Sequence, residues 1–291
     1  MNRFITAAAV IVRLEIGEDV DTSDCTSAQA KAISIKNIKR RTSSIFFIIS
    51  SRWRKDNKMK LDTNIKSIEA EVQRDRLLIL SKIPLRILSS AVLNGGLCEA
   101  DGILSVHVSE DGCEDGFHRD PNDFLRKKAS KLNLHPDRIV GLMTAADLRN
   151  VDVGSRRYED VIVTILVTAG TSFAATAGDE IASKQKAGQF KKLGTINIIT
   201  LVDGNLTESC MVGAVNTITE AKTVALRELD IRSRFSGELA SGTITDSVVV
   251  ACTKSGNPIK YAGTATMLGE LIGKSVKETV KKAISKQENQ S

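Results

Sequence analysis

The stretch DVIVTILVT, residues 160–168, decides how this chain is read. Seven of its nine residues are β-branched, and such side chains are stiff at χ1 and favour the pleated surface of a sheet over a helix. Polar and apolar residues do not alternate along it, so it reads as a strand buried on both faces. A second run of the same kind, GTINIITLV, lies at residues 194–202. It is followed at once by Asn205, with Glu208 three residues on, which reads as a capped helix start. Met211, Val215, Ile218, Ala225 and Leu229 then keep a 3.6-residue stripe. Lys222 falls on the border of that stripe, where its ammonium snorkels or meets a partner.

Working outward, residues 76–80 (RLLIL) and 86–93 (RILSSAVL) are short apolar runs bounded by Pro84 and by Gly95-Gly96. They predict two strands and a tight turn. Residues 103–108, 139–143 and 245–252 predict further strands, and residues 109–119 an exposed acidic loop. Asp120-Pro121 opens a helix to about Leu132, because a side-chain acceptor precedes a proline whose missing N–H costs nothing there. Leu268, Ile272, Val276, Val280 and Ile284 make a closing amphipathic helix, with Lys277, Glu278, Lys281 and Lys282 facing water. Aromatic residues are only 4% of the chain, so the core rests on Val, Ile, Leu and Ala. The expected fold class is α/β or α+β: a single domain with a central, mostly buried β-sheet packed by helices.

That domain spans residues 59–291. Residues 1–58 are expected to be a poorly ordered extension, or the product of a mis-assigned start with the true one at Met59. The extension holds eleven Lys and Arg against six Asp and Glu, so of the net +6 the domain keeps only about +1. A nucleic-acid binder shows its positive field on the folded domain, and this distribution argues against nucleic acid as a partner. The apolar start at residues 4–12 runs into Arg13 and Glu15 without a small-residue cleavage site. The apolar piece at residues 45–49 is far short of the roughly 20 residues a membrane span needs. Five cysteines, an odd number with no CxxC, read as free thiols of a reducing compartment. A cytoplasmic protein with no membrane partner is expected. Cys98, His107, Cys113 and His118 fit no common zinc spacing, and no metal is expected.

Motifs exclude more than they assign. GxGxxG, GxxxxGK[ST], HExxH and GxSxG are all missing, and with them the usual phosphate cradles, zinc helix and nucleophile elbow. Five small polar stretches border apolar runs: residues 89–96, 141–147, 167–172, 202–207 and 241–246. Each places hydroxyls, amides or a carboxylate beside Gly or Ala, where a ligand can approach the backbone. Each also has a local explanation. Asp203-Gly204 makes a common turn, Asn205 caps a helix, Gly95-Gly96 closes a hairpin, and Thr243 bonds its own backbone.

Taken together, these stretches resemble the adenosylcobinamide amidohydrolase family. The likeness is carried by residues 88–91 with 94–96, 141–146, 167–170 running to 177–179, 194–198 with 203–207, 219–223, and 241–243 with 245–246. The resemblance implies hydrolysis of the amide joining aminopropanol to the corrin propionate of adenosylcobinamide, giving adenosylcobyric acid. It implies a small-molecule corrinoid partner and no cofactor, the cobalt arriving with the substrate; homo-oligomerisation stays open. Site roles rest on chemistry. Amide hydrolysis needs a nucleophile with a base, oxyanion donors and an acid for the departing amine. Asp203, Asp246 or Asp147 is the expected base. Thr243, Thr144 or Ser90 is the nucleophile, unless water attacks directly. Asn94, Asn205 and the N–H groups of Gly95 and Gly96 are candidate oxyanion donors, Thr168 lines the substrate, and Lys222 holds a carboxylate in place. A corrinoid-binding protein without hydrolysis, and an amidase for another small amide, are the alternatives.

Overall fold

The computed structural model describes residues 58–108, 119–181 and 194–289. The N-terminal extension, Cys25, Cys113, His118 and nearly all of the acidic loop lie outside the described residues. Nine strands make one mixed sheet. They are β1 (Met59–Leu61), β2 (Ile68–Val72), β3 (Arg76–Ser89), β4 (Gly96–His107), β5 (Ile139–Thr144), β6 (Asp152–Tyr158), β7 (Val161–Ala169), β9 (Ile196–Asp203) and β12 (Ser247–Cys252). Four two-residue strands pair outside it: β8 (Ala174–Ala175) with β11 (Gly242–Thr243), and β10 (Asn205–Leu206) with β13 (Pro258–Ile259). Among the described residues the α-helices are α1 (Pro121–Lys131), α2 (Glu208–Glu228) and α3 (Met267–Glu288).

The two strands expected on either side of Pro84 are instead one bent strand. β3 runs 14 residues through Pro84, and its register against β4 slips between Leu80 and Leu85. Proline has no N–H for the ladder, so it sits where a bulge already interrupts pairing. The bend divides one edge of β3 between two partners. Its first half pairs with β2 (Leu77 opposite Val72) and its second half with β12 (Ile87 opposite Ala251), while β4 follows the other edge. From β12 the sheet continues through β9 and β7 to β6.

Alternation along β9 separates two cores. Ile196, Ile198 and Val202 face α2 and α3, where they meet Met211, Ile218, Ile272 and Val276. Ile199 and Leu201 face the other way and join Leu77, Ile79, Ile87 and Leu142 from the first half of the sheet. The sheet therefore folds over its own inner face and is nearly closed. A third, smaller core sets Phe124 and Leu125 of α1 against Leu104 and Ile139. All five apolar residues expected on the closing helix are buried. On its outer side Lys277 and Lys281 pair with Glu228 of α2 at 3.1 and 2.6 Å, and Arg156 with Glu278 at 2.6 Å.

One expected cap is corrected. Thr207, not Asn205, caps α2, its Oγ1 accepting from the Cys210 amide at 3.2 Å. Asn205 is held in β10 by pairing with Pro258, which leaves the cap two residues later. Asp120 caps α1 as expected. Among the described residues no helix is long and apolar enough to cross a membrane.

Candidate active site

β9 and β12 run parallel and in register, Asn197 opposite Ser247 through Val202 opposite Cys252. Residues just before the two strands are therefore brought together, as are residues just after them. Each end holds one of the expected carboxylates.

At the leading end, Asp246 receives four hydrogen bonds. Lys222 Nζ donates to Oδ2 at 2.5 Å and the Thr243 amide to the same oxygen at 3.1 Å. The Ile196 amide donates to Oδ1 at 3.1 Å, and Thr243 Oγ1 donates a short bond to Oδ1. The ion pair is nearly enclosed, with 9% of the Lys222 and 12% of the Asp246 side chain accessible. Lys222 reaches this point because it lies on the inward border of α2, one turn from buried Ile218 and Ala225. Gly242 is required beneath it: a Cβ there would collide with Asp246 Oδ2 and lie 2.7 Å from Lys222 Nζ. Thr195 and Thr245, one residue ahead of each strand's anchor, join hydroxyls at 2.7 Å.

The same end gathers other expected residues. Asn197 Nδ2 donates to the Met143 carbonyl at 2.9 Å and so ties β5 to β9. Next to Met143, Thr144 is buried, with Oγ1 accepting from the Ala146 amide at 3.1 Å. Thr168 stands opposite Asn197 on β7. Its Oγ1 and the Asn197 Oδ1 are buried without a hydrogen-bond partner, a rare condition that marks this inner corner as polar and unfinished. Ser90 Oγ accepts from the Val248 amide at 3.1 Å, beside the start of β12. Asp147 begins a 3-10 turn just beyond β5 and accepts from Arg149 N and Nε, each at 2.9 Å. Burial pushes its carboxyl upward, but the Arg149 hydrogen bonds outweigh this and hold it below the usual range.

The trailing end holds Asp203. Its Oδ1 accepts from Thr253 Oγ1 at 2.7 Å. It lines a groove of about 840 Å³ with Lys66, Arg157, Ile162, Ser255 and Asn257. Seven residue steps along β9 separate it from Ile196, roughly 23 Å at about 3.3 Å per residue. Asp203 and Asp246 thus do not share a cleft. Asn205 stays at the Asp203 end, its Nδ2 reaching the Gly256 carbonyl at 3.4 Å. Asn94, Gly95 and Gly96 form a turn at the far end of β5 from Thr144. Asn94 has φ +53° and Gly96 φ +86°, and Asn94 Nδ2 donates to the Pro136 and Ile139 carbonyls at 2.7 and 2.8 Å. That amide is spent on the backbone and does not reach Asp246.

Sequence reasoning passed over Gly242 and the Thr195–Thr245 pair as site residues. Their signal was present: small or hydroxyl residues immediately ahead of two apolar strands. Cys98 and His107 lie nine residues apart on β4 and so point to different ends of the domain. Among the described residues no group of His, Cys, Asp and Glu is arranged to hold a metal ion.

The family model of adenosylcobinamide amidohydrolases (CbiZ) matches residues 59–291. An uncharacterized protein of Methanocaldococcus jannaschii is 36% identical over 180 residues, covering 57% of this chain and 70% of its own. An adenosylcobinamide amidohydrolase of Methanosarcina mazei is 32% identical over 203 residues, 66% of this chain and 86% of its own. One of Halobacterium salinarum is 27% identical over 193 residues, 66% and 77% respectively. With its domain matched throughout, the chain belongs to the adenosylcobinamide amidohydrolase family.

Proposed function

We propose that the chain hydrolyses the amide joining aminopropanol to the corrin propionate of adenosylcobinamide, giving adenosylcobyric acid, and that the leading end of β9 and β12 performs the reaction. The observation that carries this is convergence. All six sets of residues behind the family resemblance meet, in part, at that end, around a nearly enclosed Lys222–Asp246–Thr243 group.

The chemistry follows from lone-pair occupancy. A carboxylate offers about four acceptor positions, and Asp246 already accepts four hydrogen bonds. It has no vacant position for an attacking water; the proton within its reach belongs to Thr243 Oγ1. Thr243 is therefore the nucleophile, Asp246 the base and Lys222 the cation that fixes the carboxylate. Oγ1 adds to the amide carbon, its proton passes through Asp246 to the departing nitrogen, and the C–N bond breaks. Water then cleaves the Thr243 ester, releasing the corrin carboxylate and restoring the hydroxyl. Asp246 is the only hydrogen-bond partner of Lys222 among the described residues, so two further ammonium N–H groups remain to steady the oxyanion.

A second reading, corrinoid binding without hydrolysis, draws on the groove beside Asp203, whose volume of about 840 Å³ lies in the range of ligand sites. Incubation of the purified full chain with adenosylcobinamide, followed by chromatography, separates the two. Conversion to adenosylcobyric acid and aminopropanol without added nucleotide is expected. Binding with no product would leave only the second reading, and hydrolysis of other small amides alone would reassign the substrate.

A further inference from the structure

A separate cavity of about 270 Å³ lies against the leading end, between Ala145–Ala146, Gly170–Ser172 and Gly194, and is closed on another side by the last turn of α3. Its Gly194 wall is two residues from Ile196, whose amide anchors Asp246, and Gly194 O accepts from Thr245 Oγ1 at 3.5 Å. Its Gly170 wall is bonded to the Thr195 carbonyl at 3.0 Å. The cavity and the Asp246 group thus share a wall of backbone.

Its electrostatics have one sign. Glu288 is the only charged residue among the described residues that line it. That carboxylate is exposed, and it stands on the final residue of a 22-residue helix, where unpaired carbonyls give the terminus a partial negative charge. The two effects add, and both favour a cation. Two cations beside it are already committed: Arg234 stacks 4.6 Å over Phe173 and donates to the Ser172 carbonyl at 3.4 Å, and Lys286, in the same last turn of α3, donates to Asp152 at 2.6 Å. The Thr171 and Ser172 side chains add hydroxyls to the rim.

We infer that this cavity receives the amine half of the substrate, a small hydroxyl-bearing alkylamine, with Glu288 and the α3 C-terminus stabilising its ammonium. The inference rests on the proposed amide hydrolysis for its purpose but not for its test. The nitrogen that receives the Thr243 proton leaves as a neutral amine and then takes a second proton from water, so a negatively polarised pocket beside the reacting group holds the resulting ammonium away from the ester. The volume admits a three-carbon amino alcohol and excludes the corrin ring.

Binding is measured without turnover. The full ¹⁵N-labelled chain is titrated with 1-amino-2-propanol, and with 1,2-propanediol as its neutral counterpart of the same shape. Amide shifts at Ala146, Gly170, Thr171 and Gly194 are expected with the amine and not the diol. Glu288→Gln should weaken binding about 3- to 5-fold, the usual worth of one exposed charge pair, and Glu288→Lys should weaken it further. Equal response to amine and diol, shifts elsewhere only, or unchanged affinity in Glu288→Lys would overturn the inference. Hydrolysis of adenosylcobinamide by the same samples is scored separately. Loss of turnover in the native chain defeats the functional proposal, whereas turnover with no amine binding at these residues defeats only the pocket.

Discussion

The two ends of β9 and β12 carry the same acidic residue type in opposite circumstances. Asp246 is held by an ammonium, a hydroxyl and two amides in a nearly closed setting. Asp203 takes a single hydroxyl and borders an open groove. Such a contrast teaches that a carboxylate's sequence neighbourhood says little about its role; the number and kind of donors folded onto it says much more. Both residues stand at an end of an apolar strand, and each has a glycine within four positions. Only one is joined to a buried lysine.

The largest expected effect tests that buried pair. Lys222→Met leaves Asp246 without its counter-charge, and breaking one side of a buried pair costs about 3–5 kcal/mol. Chemical denaturation should show a loss of that order, with turnover below detection. The same class of change at the other end, Thr253→Val, removes one hydroxyl from Asp203 and should cost about 1 kcal/mol. Equal losses would erase the contrast.

A smaller effect is expected from Gly242→Ala. The added methyl displaces the Lys222–Asp246 contact, and a displacement near 1 Å can cost on the order of 100-fold in rate. Steady-state kinetics should show this loss in kcat while circular dichroism stays native.

The smallest effect concerns pH. The Asp147 carboxyl is lowered overall: burial raises it, but the Arg149 hydrogen bonds prevail. A carboxyl lowered in the folded state contributes stability that is present above its unfolded value and is lost as pH falls through the folded one. Asp147→Asn should therefore lower the denaturation midpoint slightly at pH 7, by no more than about 1 kcal/mol, and the difference from the native chain should vanish in the acid range.

Much of the fold was legible because periodicity reports burial. The residue 160–168 run, the residue 194–202 run and the stripes of α2 and α3 were all placed to within a few residues. β1 and β6 were not, since the short edge strand Met59–Leu61 and the charged Asp152–Tyr158 carry little apolar pattern, and the five-residue alternation of β2 went unread. Pro84 misled because proline reads as a break, whereas here a bulge absorbs it. The candidate site was half legible. Asp246, Thr243 and Lys222 were each suspected, but nothing in the linear order tells which strand end faces which. The parallel register of β9 with β12 is what parts Asp203 from Asp246. Asn94 was read as a ligand donor because amide side chains serve both ligands and turns; its positive φ and two backbone carbonyl partners place it with the turns.

One measurement bears most directly on the leading end as the seat of chemistry: the ratio of adenosylcobinamide hydrolysis rates in Thr243→Ala and Asp203→Asn. Removal of a nucleophile should lower turnover by about 1,000-fold or more, and Asp203→Asn should change it by less than about 3-fold. Full activity in Thr243→Ala together with an inactive Asp203→Asn would move the reaction to the opposite end of the strands and contradict the account.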